Sequence, residues 1–277
     1  MKITPIKNFN INPNYQINKK TDVQKSVNAD NRDLIQTNYY LPLNFTARKE
    51  YKELNDYYEV RASTHFRRGQ NYGSPSSYYK DVEDTLKMMY DNKRKNKILV
   101  VGVGEGQEPY SLAASVYGIK WYENLKDVLD MECVDLGPKL TKKQLTEASK
   151  MYQQCQYCYA MDSYKKTPDG RYTFIPEICD FVNETLNSKE KTKWDTSVQE
   201  FVKDCPENSY DCISMNNVLG YIMSKQEKND VISKMEKMIR PNGFLITDEI
   251  YSEYFKNNNL LTGFDQVFPG IYRKRGD

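Results

Sequence analysis

Three glycines at alternate positions, Gly102, Gly104 and Gly106, follow the apolar run Ile98-Leu99-Val100-Val101, and Glu108-Pro109 comes directly after them. Asp135 closes the next apolar run, Val128 to Val134. Glycines after a buried strand let the backbone turn sharply and lie against a ligand. A carboxylate at the end of the second strand accepts hydrogen bonds from ribose hydroxyls. Together they point to a ligand built on a nucleoside. The helix start then separates two classes. A pyrophosphate needs free backbone N–H groups there. Pro109 has none, and Glu108 brings a charge that repels phosphate. An acid at that place suits an ammonium group, which S-adenosyl-L-methionine (SAM) carries and a dinucleotide does not. An ordinary strand–helix turn with solvated acids and a nicotinamide-dependent oxidoreductase are the competing readings.

The elements that must position these groups are legible in the hydrophobic pattern. Ile98 to Val101 is a short continuous apolar run bounded by the basic stretch Lys93 to Lys97 and by glycines, which is how a strand buried on both faces looks. A helix is expected over Glu108 to Val116, a strand over Val128 to Val134 and a helix over Leu140 to Met151. A further strand is expected over Tyr210 to Met215, a helix over Lys225 to Met238 and a strand over Phe244 to Thr247 after the turn Pro241-Asn242-Gly243. The chain ends on a hairpin, Phe264 to Arg273, around Pro269-Gly270. Strand and helix alternate, so the expected fold class is α/β: a Rossmann-like parallel sheet with helices on both faces. The interval Cys155 to Pro206 is less patterned. It holds a helix over Pro176 to Val182, a polar insertion over Asn183 to Lys193 and a short strand near Trp194. Upstream, helices are expected over Ala47 to Arg61 and Ser77 to Asn92, with a Gly/Pro/Ser loop between them. The expected organisation is a disordered tail at 1–32, a helical segment at 33–92 and the ligand-binding domain at 93–277.

Composition bounds the function. The formal net charge is +2, from 40 basic and 38 acidic residues, so no global field draws the chain to nucleic acid. No apolar run approaches the ~20 residues that span a bilayer. The stretch Met1 to Asn10 lacks a signal-peptide core, so a cytoplasmic location is expected. The six cysteines are then reduced thiols. Cys155-Gln-Tyr-Cys158 is a single CxxC, and the only histidine is His65, so zinc lacks a second ligand pair and no metal is expected.

Four stretches together resemble one family. Gly104 to Ser111, GEGQEPYS, resembles the (S/T)GEEPYS loop of CheR-type methyltransferases, which methylate glutamates on bacterial chemoreceptors. Ser63 to Arg68, STHFRR, is similar to the family's TxFFR motif. Tyr210 to Ile222, YDCISMNNVLGYI, is similar to FDxIxCRNVxxYF, and Ile239 to Leu245 to LKPGGxL. The order and spacing agree over about Ser63 to Arg273. The resemblance implies that Thr64 and Arg68 reach the cofactor and that Glu108 holds the SAM amino group. It implies that Asp135 binds the ribose, that Asn216 and Asn217 stand at the strand-four contact, and that Tyr221 lies near the reacting atoms. Arg68 and Tyr221 are then the candidate catalytic residues, and Thr64, Arg68, Gly102, Gly104, Glu108, Asp135, Asn216 and Asn217 the candidate cofactor residues. The sequence departs from the pattern at Ala62, Arg67, Gln107 and Asn216, where the family has asparagine, phenylalanine, glutamate and arginine.

Methyl transfer from SAM is an in-line displacement with a good leaving group, so the protein mainly has to align nucleophile and methyl. A carboxylate acceptor is ionised at neutral pH and needs no general base. The absence of a histidine near the core motifs is therefore compatible with catalysis, and His65 reads as a surface residue. The expected partner is a protein substrate, a chemoreceptor or another bacterial protein. A module that binds SAM or its demethylated product S-adenosylhomocysteine (SAH) without turnover is the alternative.

Overall fold

The computed structural model describes residues 84–89, 94–119, 124–151, 164–168, 172–216 and 218–276. The expected tail at 1–32, the helix over 47–61, His65, the CxxC and the candidate residues Thr64, Arg68 and Asn217 lie outside them. Residues 84–89 are helical, within the helix expected there.

Seven strands form the main sheet in the order β6-β2-β1-β7-β8-β10-β9. These are β1 (Asn96–Val101), β2 (Leu129–Val134), β6 (Thr192–Lys193), β7 (Tyr210–Met215), β8 (Ile239–Thr247), β9 (Phe264–Phe268) and β10 (Ile271–Lys274). From β6 to β8 all pairings are parallel; β10 runs antiparallel to both β8 and β9. The fold is Rossmann-like α/β, with the closing hairpin as an antiparallel edge. Leu99 and Val101 of β1 face one core while Ile98 and Val100 face the other, each completely or almost completely buried. The Ile98/Val100 core is closed by helices α1 (Gln107–Ile119) and α4 (Pro176–Asn187), the Leu99/Val101 core by α6 (Lys225–Met238). That two-sided burial is why the central strands read as unbroken apolar runs. The chain leaves β1 for β2 on one side and returns to β7 on the other. The order therefore reverses at β1, and a crevice opens at the carboxyl ends of the strands there.

Several expectations are corrected. The helix expected over Leu140 to Met151 is the shorter α3 (Lys142–Ala148), started by a capping box of Thr141 and Gln144. Lys150–Met151 is instead β3, which joins β5 (Tyr172–Phe174) and β4 (Tyr164–Lys166) in a separate antiparallel sheet. The polar insertion over Asn183 to Lys193 is not an insertion. Helix α4 runs on to Asn187, because Ile178, Phe181, Val182, Thr185 and Leu186 continue one buried stripe at helical spacing. The last residues of that stretch, Thr192–Lys193, form β6, the short strand expected near Trp194. The turn Pro241-Asn242-Gly243 lies inside β8, as a register irregularity against β7 in which Asn242 takes φ +63°. Two short helices precede elements the sequence suggested, α2 (Leu125–Val128) before β2 and α5 (Val198–Phe201) after β6. The chain closes with α7 (Ser252–Asn257) and the hairpin.

At the amino ends of the strands, Asp211 of β7 gathers positive charge. Its Oδ1 accepts from Arg94 Nη2 at 2.5 Å; its Oδ2 accepts from Arg94 Nη1 at 2.7 Å, Lys97 N–H at 2.7 Å and Arg240 Nη1 at 2.9 Å. Burial alone would push this carboxyl up, but Arg94, the Lys97 N–H and Arg240 together hold it below the ordinary aspartate value.

Candidate functional site

The groups singled out by type and spacing meet at the opposite, carboxyl end. Gly102 carries the β ladder one step beyond β1, donating its N–H to Val134 O at 2.9 Å, and then takes φ +77°. A Cβ there would lie 2.6 Å from Val218 Cγ2, so only glycine suits both the dihedral and the space. Gly104 follows at φ +58° and aims its N–H at Asp135 Oδ2, 2.6 Å away. Asp135 is 2% exposed, one step beyond β2, and its other oxygen accepts the Gly137 N–H at 2.5 Å. Both donors are neutral amides, and each carboxylate oxygen has a second lone pair. Asp135 therefore ties the glycine loop to the end of β2.

Glu108 stands in the first turn of α1. Its Oε1 accepts from the Ser214 hydroxyl and from Asn216 Nδ2, the latter at 2.8 Å. Ser214 belongs to β7 and Asn216 follows that strand, two residues on and on the same face. Asn216 is 8% exposed, and its carbonyl oxygen lies 4.0 Å from where a Cβ on Gly102 would stand, so the glycine loop and the end of β7 are in contact.

Between the ends of β1, β2 and β7 and the segment after β6 lies a cleft of about 110 Å³. Gly102, Asp135 and Tyr221 line it, with Leu136, Val198, Val218 and Ile222 as apolar walls and Thr196, Ser197 and Gln199 as polar ones. Tyr221 reaches it from the 3₁₀ turn Leu219–Tyr221. Gly104, Glu108 and Asn216 do not line this cleft; they form a second cluster joined to it through the Gly104–Asp135 bond and Gly102. Beneath the site, burial first, and then neighbouring carboxylates, push the Cys133 and Cys212 thiols up, with a Thr192 hydrogen bond only partly opposing this at Cys133. Both thiols stay protonated at neutral pH and are inert as nucleophiles.

Of the sequence candidates, Gly102, Gly104, Glu108, Asp135, Asn216 and Tyr221 are thus brought to one end of the sheet. Sequence reasoning missed Ser214, Leu136 and Gly137. A lone hydroxyl in an otherwise apolar strand was the available signal for Ser214. The others depend on which loops the sheet order brings together. The donor set fits SAM in kind: a buried carboxylate, a second acid in the first turn of α1 and an apolar-walled slot stand at one end of the sheet. No helix among the described residues is long and apolar enough to cross a membrane, and no cluster among them could hold a metal ion.

A family model described as CheR methyltransferase, SAM binding domain, matches residues 62–261. No curated protein sequence matches the chain. Among solved structures, the chain is similar to the N-methyltransferase NodS from Bradyrhizobium japonicum WM9 in complex with SAH. The identity is 12%, over 70% of this chain and 86% of that one, with TM-score 0.36. It is also similar to an arsenic (III) S-adenosylmethionine methyltransferase from Chlamydomonas reinhardtii, at 16% identity over 56% and 38% of the chains, TM-score 0.29. A third is phosphoethanolamine N-methyltransferase 2 from Haemonchus contortus, at 13% identity over 67% and 37%, TM-score 0.31. The chain spans about half the length of other structures it matches, 56% and 44% of two of them.

Proposed function

We propose that this chain, which belongs to the CheR methyltransferase family through its SAM-binding domain, transfers the methyl group of SAM to a carboxylate side chain of a protein. SAM-dependent methyl transfer is the family's activity; the protein carboxylate as acceptor is our reading. It is carried by one observation: Asp135 and Glu108 stand at the carboxyl end of the sheet, and among the described residues the cleft wall holds no histidine or lysine to serve as a general base. Asp135 would accept from the ribose hydroxyls and Glu108 from the ammonium group, and the Leu136–Val198–Val218 walls would enclose the base. When bound, SAM supplies an electrophilic methyl on a sulfonium. The protein's share is then to fix the donor, exclude water and align the acceptor. Tyr221, on the cleft wall, is the described residue suited to orient an incoming carboxylate through its hydroxyl. Thr64 and Arg68, by resemblance, would complete the grip on the donor, Arg68 through a two-pronged contact with a carboxylate.

The test is transfer of labelled methyl from SAM to bacterial protein, with release of the label as methanol in mild base. Base-labile label lost in a Tyr221→Phe variant that still binds SAH is the expected result. Base-stable label would move the acceptor to nitrogen. A second reading, a SAM- or SAH-binding module without turnover, is favoured by Asn216, whose amide is bonded to Glu108 and Ser214 where the family carries an arginine. SAH binding with no label on any protein would select that reading.

A further inference from the structure

We infer that Ser214, with Asn216, is the positioning residue for Glu108: a hydrogen-bonded pair that fixes the carboxylate for the ammonium group of the methyl donor. The inference rests on Glu108 as the ammonium acceptor proposed above.

Strand β7 is buried at every position, and Ser214 is 1% exposed. A hydroxyl is costly in such a strand unless it is hydrogen-bonded. Its place is fixed on both sides, since Ser214 pairs with Val100 of β1 and with Ile246 of β8. Side chains alternate along a strand, so Cys212, Ser214 and Asn216 point to one face. Cys212 identifies that face, because it packs in the core closed by α1. Ser214 is thereby carried under the first turn of α1, where its hydroxyl donates to Glu108 Oε1.

Asn216 completes the arrangement. Its amide nitrogen has two hydrogens. It lies 2.8 Å from Glu108 Oε1 and 3.3 Å from Ser214 Oγ, donating to both on one side. Asn216 thus holds the serine oxygen from one side while the serine proton is given to the carboxylate. Both donors to Oε1 are uncharged. An arginine or lysine in their place would pair with the carboxylate and compete with a ligand cation. Serine and asparagine orient Glu108 through neutral donors. The two donors converge on a single oxygen, so the plane of the carboxylate is set before any ligand arrives.

The experiment is titration calorimetry on the full chain with two ligands. SAH carries the amino-acid moiety; 5′-methylthioadenosine has the same nucleoside and thioether but lacks it. Ser214→Ala should weaken SAH binding about three- to tenfold, the scale of a hydrogen bond to a charged group acting through a second residue, and leave 5′-methylthioadenosine unchanged. Ser214→Cys keeps the volume with a weaker donor, so it should move the same ratio by less; it also serves if the alanine variant does not fold. Cys212→Ala, one step down the same face, should leave the ratio alone. An unchanged ratio in both serine variants, or equal loss for both ligands, overturns the inference. Glu108→Gln separates the two levels of the argument. If it collapses the ratio and Ser214→Ala does not, Glu108 holds the ammonium but Ser214 does not position it. If Glu108→Gln itself leaves the ratio intact, the assignment of Glu108 fails and the positioning role goes with it.

Discussion

Two buried aspartates stand at opposite ends of the same sheet, Asp135 at 2% exposure and Asp211 at 3%. Asp211, at the amino end, takes bonds from two guanidinium groups and the Lys97 N–H. Asp135, at the carboxyl end, takes the N–H groups of Gly104 and Gly137. Cationic partners turn a buried carboxylate into a clamp between strands. The amide partners of Asp135 hold it in the wall of the cleft. Burial alone would rank the two equally; the partners tell structure from site.

The largest expected effect breaks the amino end. Asp211→Ala should lower stability by about 2–4 kcal/mol, because it removes several charge-assisted bonds and leaves the Lys97 N–H buried. The arginines are part-exposed and can turn to water, which keeps the loss below that of a fully enclosed pair. SAH affinity at a temperature where the variant is folded should not change. The pH dependence follows from the same group. Its folded value is depressed, so the stability it contributes is fully present above the ordinary aspartate value of ~3.9 and is lost as pH falls through the folded value. Acid unfolding followed by circular dichroism should therefore be flatter in Asp211→Asn. An acid limb as steep as in the parent would remove Asp211 from the clamp.

At the carboxyl end the prediction inverts. Asp135→Ala should weaken SAH binding by about 1–3 kcal/mol, the range for hydrogen bonds to a charged acceptor. An unchanged dissociation constant in a folded variant would detach Asp135 from the ribose and erase the contrast with Asp211.

How far the sequence carried this contrast depends on the element. The carboxyl end was legible because a strand buried on both faces must be a continuous apolar run, and such a run followed by Gly102 and Gly104 leaves few alternatives. Asp135 was legible for the same reason. Asp211 was not, since its partners Arg94 and Arg240 are far away in sequence and meet it only through the parallel pairing of β1, β7 and β8. Helix α4 was cut short because Asn183, Glu184 and Asn187 dominate its last turns by composition, while Thr185 and Leu186 quietly keep the buried stripe. Strand β3, two residues long, has no period to read. The Ser214–Asn216–Glu108 cluster needed the register of β7 against β1, which one sequence does not contain.

A smaller effect tests the loop that joins the two strands at the site. Gly102→Ala would place a side chain at φ +77° with its Cβ 2.6 Å from Val218 Cγ2. The tip of a valine can give way, so the expected cost is about 1–2 kcal/mol of stability, by thermal or denaturant unfolding. Val218 also lines the cleft, so SAH affinity should fall along with stability. A fully stable variant with normal affinity would mean the loop is not held against β7.

The smallest effect asks whether charge pairing matters away from burial. Lys126 of α2 and Glu184 of α4 form an ion pair whose side chains are 52% and 65% exposed. Its chemistry is that of the Asp211 clamp, a carboxylate with a cation. Its surroundings are water, which solvates both ions before and after folding, and two long side chains must lose rotamer freedom to meet. If desolvation and shared partners make the difference at Asp211, this pair should contribute little. A double-mutant cycle of Lys126→Ala and Glu184→Ala should give a coupling under about 0.5 kcal/mol, shrinking further in 1 M salt, where the screening length is ~3 Å. A coupling above about 1.5 kcal/mol that survives salt would show that contact distance, not burial, sets the strength of ion pairs in this protein. The distinction drawn between the two ends of the sheet would then have to rest on the ligand alone.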